Sequence, residues 1–242
     1  MTVAPPPQQK SPHTPPSLPE GWQWVGLGAV VDCLPGAWGG DSEFENCTAV
    51  QVVGTSQISN KGHLNASDAP IRYLSRRETA AICVAGDLLV VKSSGSAANI
   101  RSGKTAICPN ELSGKIACAN FLMRLAPKLQ VIEPYLLWLF LNGEDARAFV
   151  RRIAGSSTYP NIKWSSFRNL QIPLPPLSEQ KRIAGIVCEQ LRAVERAGAA
   201  AEVRRRAAKA LFSAILRDTF AQSRMQDMPS VRLGDCGTCQ AV

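Results

Sequence analysis

Residues 155–186 read G-S-S-T-Y-P-N-I-K-W-S-S-F-R-N-L-Q-I-P-L-P-P-L-S-E-Q-K-R-I-A-G-I, and this stretch decides the architecture. It divides into a Gly/Ser/Thr/Asn-rich loop, a segment that cannot stay helical, and an abrupt helix start. Pro173, Pro175 and Pro176 each lack an N–H and fix φ, so the chain from Gln171 to Leu177 must run extended. Ser178 is expected to cap the helix that follows, with Glu179 in its first turn, where the helix dipole favours a carboxylate. Lys181 then falls at the third helical position, so the reciprocal capping box is absent.

From Ser178 to about Ser223 the sequence lacks proline and is rich in Ala, Arg, Glu and Leu. Ile183, Val187, Leu191 and Val194 recur at helical spacing as a narrow apolar seam. After a small-residue patch at Ala197–Ala201, the seam resumes at Ala207, Leu211, Ile215 and Phe220. About 45 residues at ~1.5 Å each make a rod on the order of 65–70 Å long. A helix this long with so thin a seam is stable only against a partner helix. Its cluster of Arg204, Arg205, Arg206 and Lys209 is by default a solvated face. Phosphate contacts or an acidic docking partner are the functional alternatives.

Upstream, residues 1–17 are dominated by Pro, Gln, Ser and Thr, can bury almost nothing, and are expected to be disordered. Structure should begin at Leu18, with Trp22 and Trp24 as the first apolar anchors. From there to about residue 130 the signals are strand-like and rich in turns. Ala49–Val53, Leu88–Val91 (entered by a Gly86-Asp87 turn) and Ile116–Leu125 each read as a strand. Between Glu133 and Ile153 the apolar spacing becomes helical. Pro134 sits in a first turn, Asn142-Gly143 interrupts, and Gly155 ends the second helix.

At 242 residues the chain can hold one substantial domain and an accessory element. Its net charge of +8 and pI near 9.3 suit a polyanionic partner, nucleic acid first. The longest apolar run, Tyr135–Leu141, is far too short to span a bilayer, and the first residues carry no charged-then-apolar signal. A cytoplasmic location is therefore expected, with no membrane partner. Of the eight cysteines, Cys236 and Cys239 form a C-x-x-C pair with no second pair to complete a zinc site. The remaining cysteines read as small buried hydrophobes in a reducing compartment. His13 and His63 offer no catalytic dyad. No metal or cofactor is expected.

Residues 98–105, A-N-I-R-S-G-K-T, fit a relaxed phosphate-loop pattern, which would make the chain an NTPase. That chemistry needs a helix to open directly after the loop, and Pro109 would break such a helix in its second turn. The competing account makes Ser93 to Lys104 a basic hairpin loop beside the Leu88–Val91 strand. Lys92, Ser93, Ser94, Asn99, Arg101 and Lys104 can then reach phosphates or base edges, unless the loop is merely solvated. A second candidate loop offers Ser156, Thr158, Tyr159, Asn161 and Lys163, where Asn can pair with adenine and Lys with guanine or phosphate. Its structural alternative is a helix stop at Gly155 and a cap at Asn161. No N-P-P-Y or D-P-P-Y tetrapeptide and no Gly-rich cofactor loop is present, so methyltransferase chemistry is missing.

The order of these pieces, with L-P-P-L-S-E-Q at 174–180, resembles the specificity subunits of type I restriction–modification systems. V-G-L-G-A-V at 25–30 and A-G-D-L-L-V-V-K-S-S-G-S at 85–96 agree with that family. The resemblance implies an α+β fold: a β-rich target-recognition domain over 18–177, then a spacer helix over 178–224 that pairs as an antiparallel coiled coil. Ile183, Val187, Leu191, Val194, Leu211 and Ile215 would form the pairing seam. It also implies a non-catalytic subunit that reads one half of a bipartite site in double-stranded DNA. The implied partners are an adenine-N6 methyltransferase subunit, through it an ATP-driven restriction subunit, and a second copy of the chain. Val231-Arg232-Leu233-Gly234 echoes Val25-Gly26-Leu27-Gly28, so residues 225–242 are expected to be a tail or the opening of a truncated second repeat. A coiled-coil module that binds only protein stands as the non-DNA alternative.

Overall fold

The computed structural model describes residues 17–93, 95–96, 99–100, 102–154 and 161–222. The proline-rich residues 1–16 and the segment 223–242, with Cys236, Cys239 and the proposed repeat, lie outside them. Two compact units divide the chain after Ile186.

In chain order the elements are β1 (Gln23–Gly26), α1 (Leu27–Val30), β2 (Val31–Leu34), β3 (Thr48–Val53), β4 (Ile71–Leu74) and β5 (Leu88–Val91). Then come β6 (Gly95–Ser96), β7 (Asn99–Ile100), β8 (Thr105–Ile107), β9 (Ile116–Cys118) and β10 (Leu122–Pro127). The last are α2 (Pro134–Asn142), α3 (Glu144–Ala154), α4 (Trp164–Phe167), β11 (Gln171–Leu174) and α5 (Leu177–Gln222). A four-stranded antiparallel sheet has the order β2-β10-β5-β8, and a mixed three-stranded sheet the order β4-β3-β9. The expected α+β class, a sheet-rich domain followed by a long helix, is what forms.

Alternation along the strands sorts the core into two clusters. Val53, Ile116 and Cys118 join Leu89, Val91 and Leu122 between the two sheets. Their sequence neighbours Val52 and Ala117 point the other way, toward Ala37 and Leu74. All four residues of β5 are buried, so an uninterrupted apolar run suits this central strand. The G-D-L-L entrance to β5 has a structural basis. Gly86 takes φ +88°, and the Asp87 carboxylate accepts the Val84 N–H at 2.7 Å and the Arg124 Nε–H at 2.6 Å. Arg124 also donates to the Ala80 carbonyl at 2.6 Å.

Three expectations need correction. Ile116–Leu125 is not one strand. The backbone turns at Ala119, whose carbonyl accepts from Leu122 N, so β9 pairs with β3 whereas β10 crosses to the other sheet. Residues 98–105 do not open a helix, because Thr105–Ile107 is a strand paired with β5; the phosphate-loop reading fails on this point. Ser178 does not cap the long helix. The Pro176 carbonyl accepts from Gln180 N, which places Pro176 at the cap and Ser178 inside the first turn.

The proline joint does run extended. β11 pairs antiparallel with β1, and Pro173, opposite Trp24, is tolerated because this sheet has only two strands. Gln180 then locks the first turn of α5 to the domain. It is 1 % exposed, accepts the Glu133 N–H at 2.8 Å and donates to the carbonyls of Val131 and Pro175, each at 2.9 Å. α5 is continuous over 46 residues, roughly 70 Å at ~1.5 Å per residue. Ile183 lines an apolar cavity with Trp22, Leu136 and Ile172, whereas Val194, Leu211 and Ile215 are exposed. Arg205 and Arg206 both pair with Glu202 on the solvated face.

Candidate nucleic-acid interface

The expected hairpin forms. β5 returns as β8, and the short strands β6 and β7 pair with each other between them. Its base is held from several sides. Trp138 Nε1 on α2 donates to the carbonyls of Gly62 and Thr105 at 3.2 and 3.1 Å. Asn142 on the same helix donates to Thr105 O at 2.9 Å and accepts from Thr105 N at 3.3 Å. α3 covers the next residues, where Arg147 Nη1 donates to Ser102 O at 3.1 Å and Val150 sits on Gly103. Gly103 is in the left-handed region at φ +82°, so the turn uses glycine both for its φ and for the contact.

The end of the second candidate loop, at 161–163, meets this hairpin. Ile162 N donates to Lys92 O at 2.9 Å, and Ser93 and Asn161 form an antiparallel bridge. Lys92, Ser93, Asn161 and Lys163, far apart in sequence, therefore share one edge. Lys163, not Asn161, stands at the N-cap of α4, so the capping alternative for Asn161 falls away. Asn161 and Lys163 are exposed, whereas Lys92 and Ser93 are half-buried. Lys104 lies on the returning side of the hairpin, where its carbonyl accepts from Val91 N and its ammonium meets Asn60. Ser94, Arg101, Ser156, Thr158 and Tyr159 lie outside the described residues. Asn99 is described only as part of β7.

The surroundings are cationic. Arg147 on α3 flanks the hairpin base, and burial followed by the nearby Arg151 charge pulls its pKa down. Arg151 pairs with Glu144, and Arg152 lies over the Phe149 ring at 5.1 Å. Among the described residues no group of His, Cys, Asp and Glu is placed to hold a metal ion. No helix among them is long and apolar enough to cross a membrane.

Sequence reasoning missed Trp38 and Phe121, two large exposed rings beside this edge. Phe121 O accepts the N–H of Lys92 at 2.9 Å and of Ser93 at 3.4 Å, and its ring packs edge-on against Trp38. The L-P-G-A-W-G-G run at 34–40, an aromatic residue among glycines, was the available signal.

Comparison with known proteins follows the same line. The family model of the type I restriction modification DNA specificity domain matches residues 19–196. The MjaIX specificity subunit of a type I restriction enzyme from Methanocaldococcus jannaschii is 32 % identical over 85 residues, 35 % of this chain and 18 % of that subunit. The MjaVIII specificity subunit of the same organism is 27 % identical over 43 % of this chain and 21 % of its own length. The matched region thus spans about a fifth of these curated relatives. The HsdS subunit from Thermoanaerobacter tengcongensis has the same fold, with a TM-score of 0.51 and 24 % identity over 77 % of this chain and 42 % of that one. A chain from a structure on complex assembly and conformational transition of the type I R-M system gives a TM-score of 0.57, again at 24 % identity, over 86 % and 48 %. With a family match over most of its length and a fold shared with these structures, the chain belongs to the type I restriction–modification DNA specificity family.

Proposed function

We propose that this chain is a sequence-reading subunit: it recognises one half of a bipartite duplex DNA site and directs an adenine-N6 methyltransferase and an ATP-driven restriction subunit to it. The observation that carries the reading is the meeting of two basic, polar loops through the Ile162–Lys92 hydrogen bond and the Ser93–Asn161 bridge. Base edges are read by side chains that a rigid frame holds at one place, while phosphate contacts set the register. The candidate contacts are Lys92, Ser93, Ser94, Asn99, Arg101 and Lys104 from the hairpin, with Ser156, Thr158, Tyr159, Asn161 and Lys163 from the second loop. The subunit itself carries no chemistry and works in the cytoplasm.

In this reading residues 18–177 are the recognition domain and 178–224 the spacer. One domain reads half a site, so a second copy or a fused second repeat completes it. The exposed Val194, Leu211 and Ile215 then serve helix pairing, and the paired length sets the gap between half sites.

The test is to co-express the chain with the adenine methyltransferase encoded beside it and map N6-methyladenine across the host genome. A new bipartite, symmetric motif is expected. Co-purification without a motif means that docking works and that a second recognition domain is needed for reading the site. Neither motif nor co-purification defeats the proposal and favours a protein-binding module.

A further inference from the structure

The two exposed rings beside the recognition edge are held there by an unusual amount of backbone. Trp38 is 62 % exposed and Phe121 48 %, and their centroids lie 5.2 Å apart with the planes at 84°. Single exposed apolar side chains are ordinary, whereas two adjoining large rings on a fastened loop are not. The fastening is specific. On one side of Trp38, Ala37 N donates to Cys118 O at 2.8 Å and Ala37 O accepts from Asn120 N at 3.0 Å. Gly36 lies so close to the Ala119 carbonyl that a Cβ there would overlap it. On the other side, Gly39 takes φ +65° and Gly40 exchanges backbone hydrogen bonds with Tyr73 at 2.9 and 3.1 Å. Glu78 Oε1 accepts the N–H groups of Trp38 at 3.3 Å and Gly39 at 3.1 Å. The backbone is thus rigid on both flanks while the indole stays in solvent.

Position points to the occupant. The Phe121 carbonyl is bonded to the backbone of Lys92 and Ser93, and Asn161 bridges Ser93, so the rings continue the cationic, amide-bearing edge. On the Phe121 side the neighbours include Lys92 and Asn161, whose ammonium and amide suit phosphates and bases. The Trp38 loop itself carries Glu78, bonded to its backbone, and Asp41, paired with Arg72. We propose that Trp38, backed by Phe121, is an aromatic wedge that stacks on a base at an opened step of the duplex. This inference rests on the DNA-reading function proposed above and deepens it.

The physical case is that opening a base step has a cost, and a ring that replaces the lost stacking offsets it. Edge-on packing against Phe121 leaves the indole braced while its exposed surface remains for a base. Every base has a π-face, so the contact tolerates sequence and acts as an anchor beside the readout loops. Pyrimidine–purine steps, which open most easily, are the preferred sites.

The test uses the full chain at low salt with a labelled 30-bp duplex of mixed sequence containing TA and CA steps. Binding is followed by anisotropy of the label, and stacking by quenching of tryptophan fluorescence. With Trp164, which follows the candidate contact Lys163, replaced by Phe in both the reference and the variant, Trp38→Phe should remove most of the quenching. Trp38→Ala should weaken binding about 10-fold or more, as loss of one stacked base does, without changing the dependence on salt. The high exposure of Trp38 leaves folding unaffected, which the urea midpoint of each variant checks. If the duplex binds, but Trp38→Ala matches wild-type affinity and Trp38→Phe is quenched as strongly as its reference, the wedge is refuted and the DNA-reading function stands. If Trp38→Ala binds DNA normally yet no longer co-purifies with the methyltransferase, the rings serve a protein partner and the inference is overturned. Failure of the wild-type chain to bind the duplex at all removes both.

Discussion

Gln180 is the residue through which the long helix is tied to the sheet-rich domain, and its replacement is the sharpest test of that reasoning. The side chain is 1 % exposed and makes three hydrogen bonds, to Glu133 N, Val131 O and Pro175 O. Gln180→Ala removes all three and leaves their partners short of a bond in a region that admits little water. At ~0.5–1.5 kcal/mol per hydrogen bond the loss is about 1.5–4.5 kcal/mol, a large part of the ~5–15 kcal/mol that holds a domain together. With a urea slope of ~1–3 kcal/mol/M, the midpoint should fall on the order of 1–2 M. Tryptophan fluorescence is the proper probe, because all five tryptophans lie between residues 22 and 164, in the sheet-rich domain and outside α5. Gln180→Glu keeps the acceptor for Glu133 N but turns an oxygen toward two carbonyls, so at neutral pH it should cost at least as much. Gln190→Ala, at an exposed position of the same helix, is the control and should stay within about 0.5 kcal/mol of wild type. Gln180 variants that unfold with the control would refute the account of the joint.

Other consequences follow from the same packing. Arg124→Met leaves the Asp87 carboxylate, 2 % exposed, without its partner and should cost about 3–5 kcal/mol in urea unfolding. The double variant Asp87→Leu/Arg124→Met should recover most of that, and additive losses would contradict it. Gly103→Ala must place a Cβ 2.7 Å from Val150 at φ +82°, so the expected loss is about 2–4 kcal/mol, read as a lowered thermal midpoint. Burial pushes the Cys118 thiol up to about 12 and Cys108 up to about 11, and raises Cys83 further. At pH 8 these three should resist alkylation in the folded protein and react only on unfolding; labelling of Cys118 in the native state, read by peptide mapping, would count against the core as described. Glu78 is held below the usual carboxylate range by hydrogen bonds, from Ser75 first and then from Gly39 and Trp38. A lowered pKa means that its contribution is present above the ordinary glutamate value of ~4.3 and is lost as pH falls through the folded value. Acidification below about pH 4 should therefore loosen the Trp38 loop and shift its emission, and Glu78→Gln should abolish that transition.

Much of the domain was legible because its signals are local. Prolines 173, 175 and 176 force an extended joint wherever they occur, and the sequence places β3, β5, α2, α3 and the long helix within a residue or two. Strands such as β2, β4 and β8 were not legible. Each is three or four residues long, and the neighbours they pair with come from distant parts of the chain. The division of Ile116–Leu125 was hidden for the same reason: apolar residues continue through the turn, and only the two competing sheets show where the chain changes partner. Ser178 had the right chemistry for a cap, but the hydrogen-bond pattern started the helix earlier, at the Pro176 carbonyl.

The candidate site divides along the same boundary. Polar, basic stretches at 92–104 and 156–163 are a matter of composition, and the sequence alone determined what groups they carry. That Lys92 meets Ile162, that Asn161 bridges Ser93, and that Trp38 and Phe121 stand beside them was decided only by the tertiary structure. Proline geometry, glycine turns and apolar spacing act over a few residues and can be read in order along the chain. Juxtaposition depends on which buried faces close against one another, a property of the whole core that no short window of sequence contains.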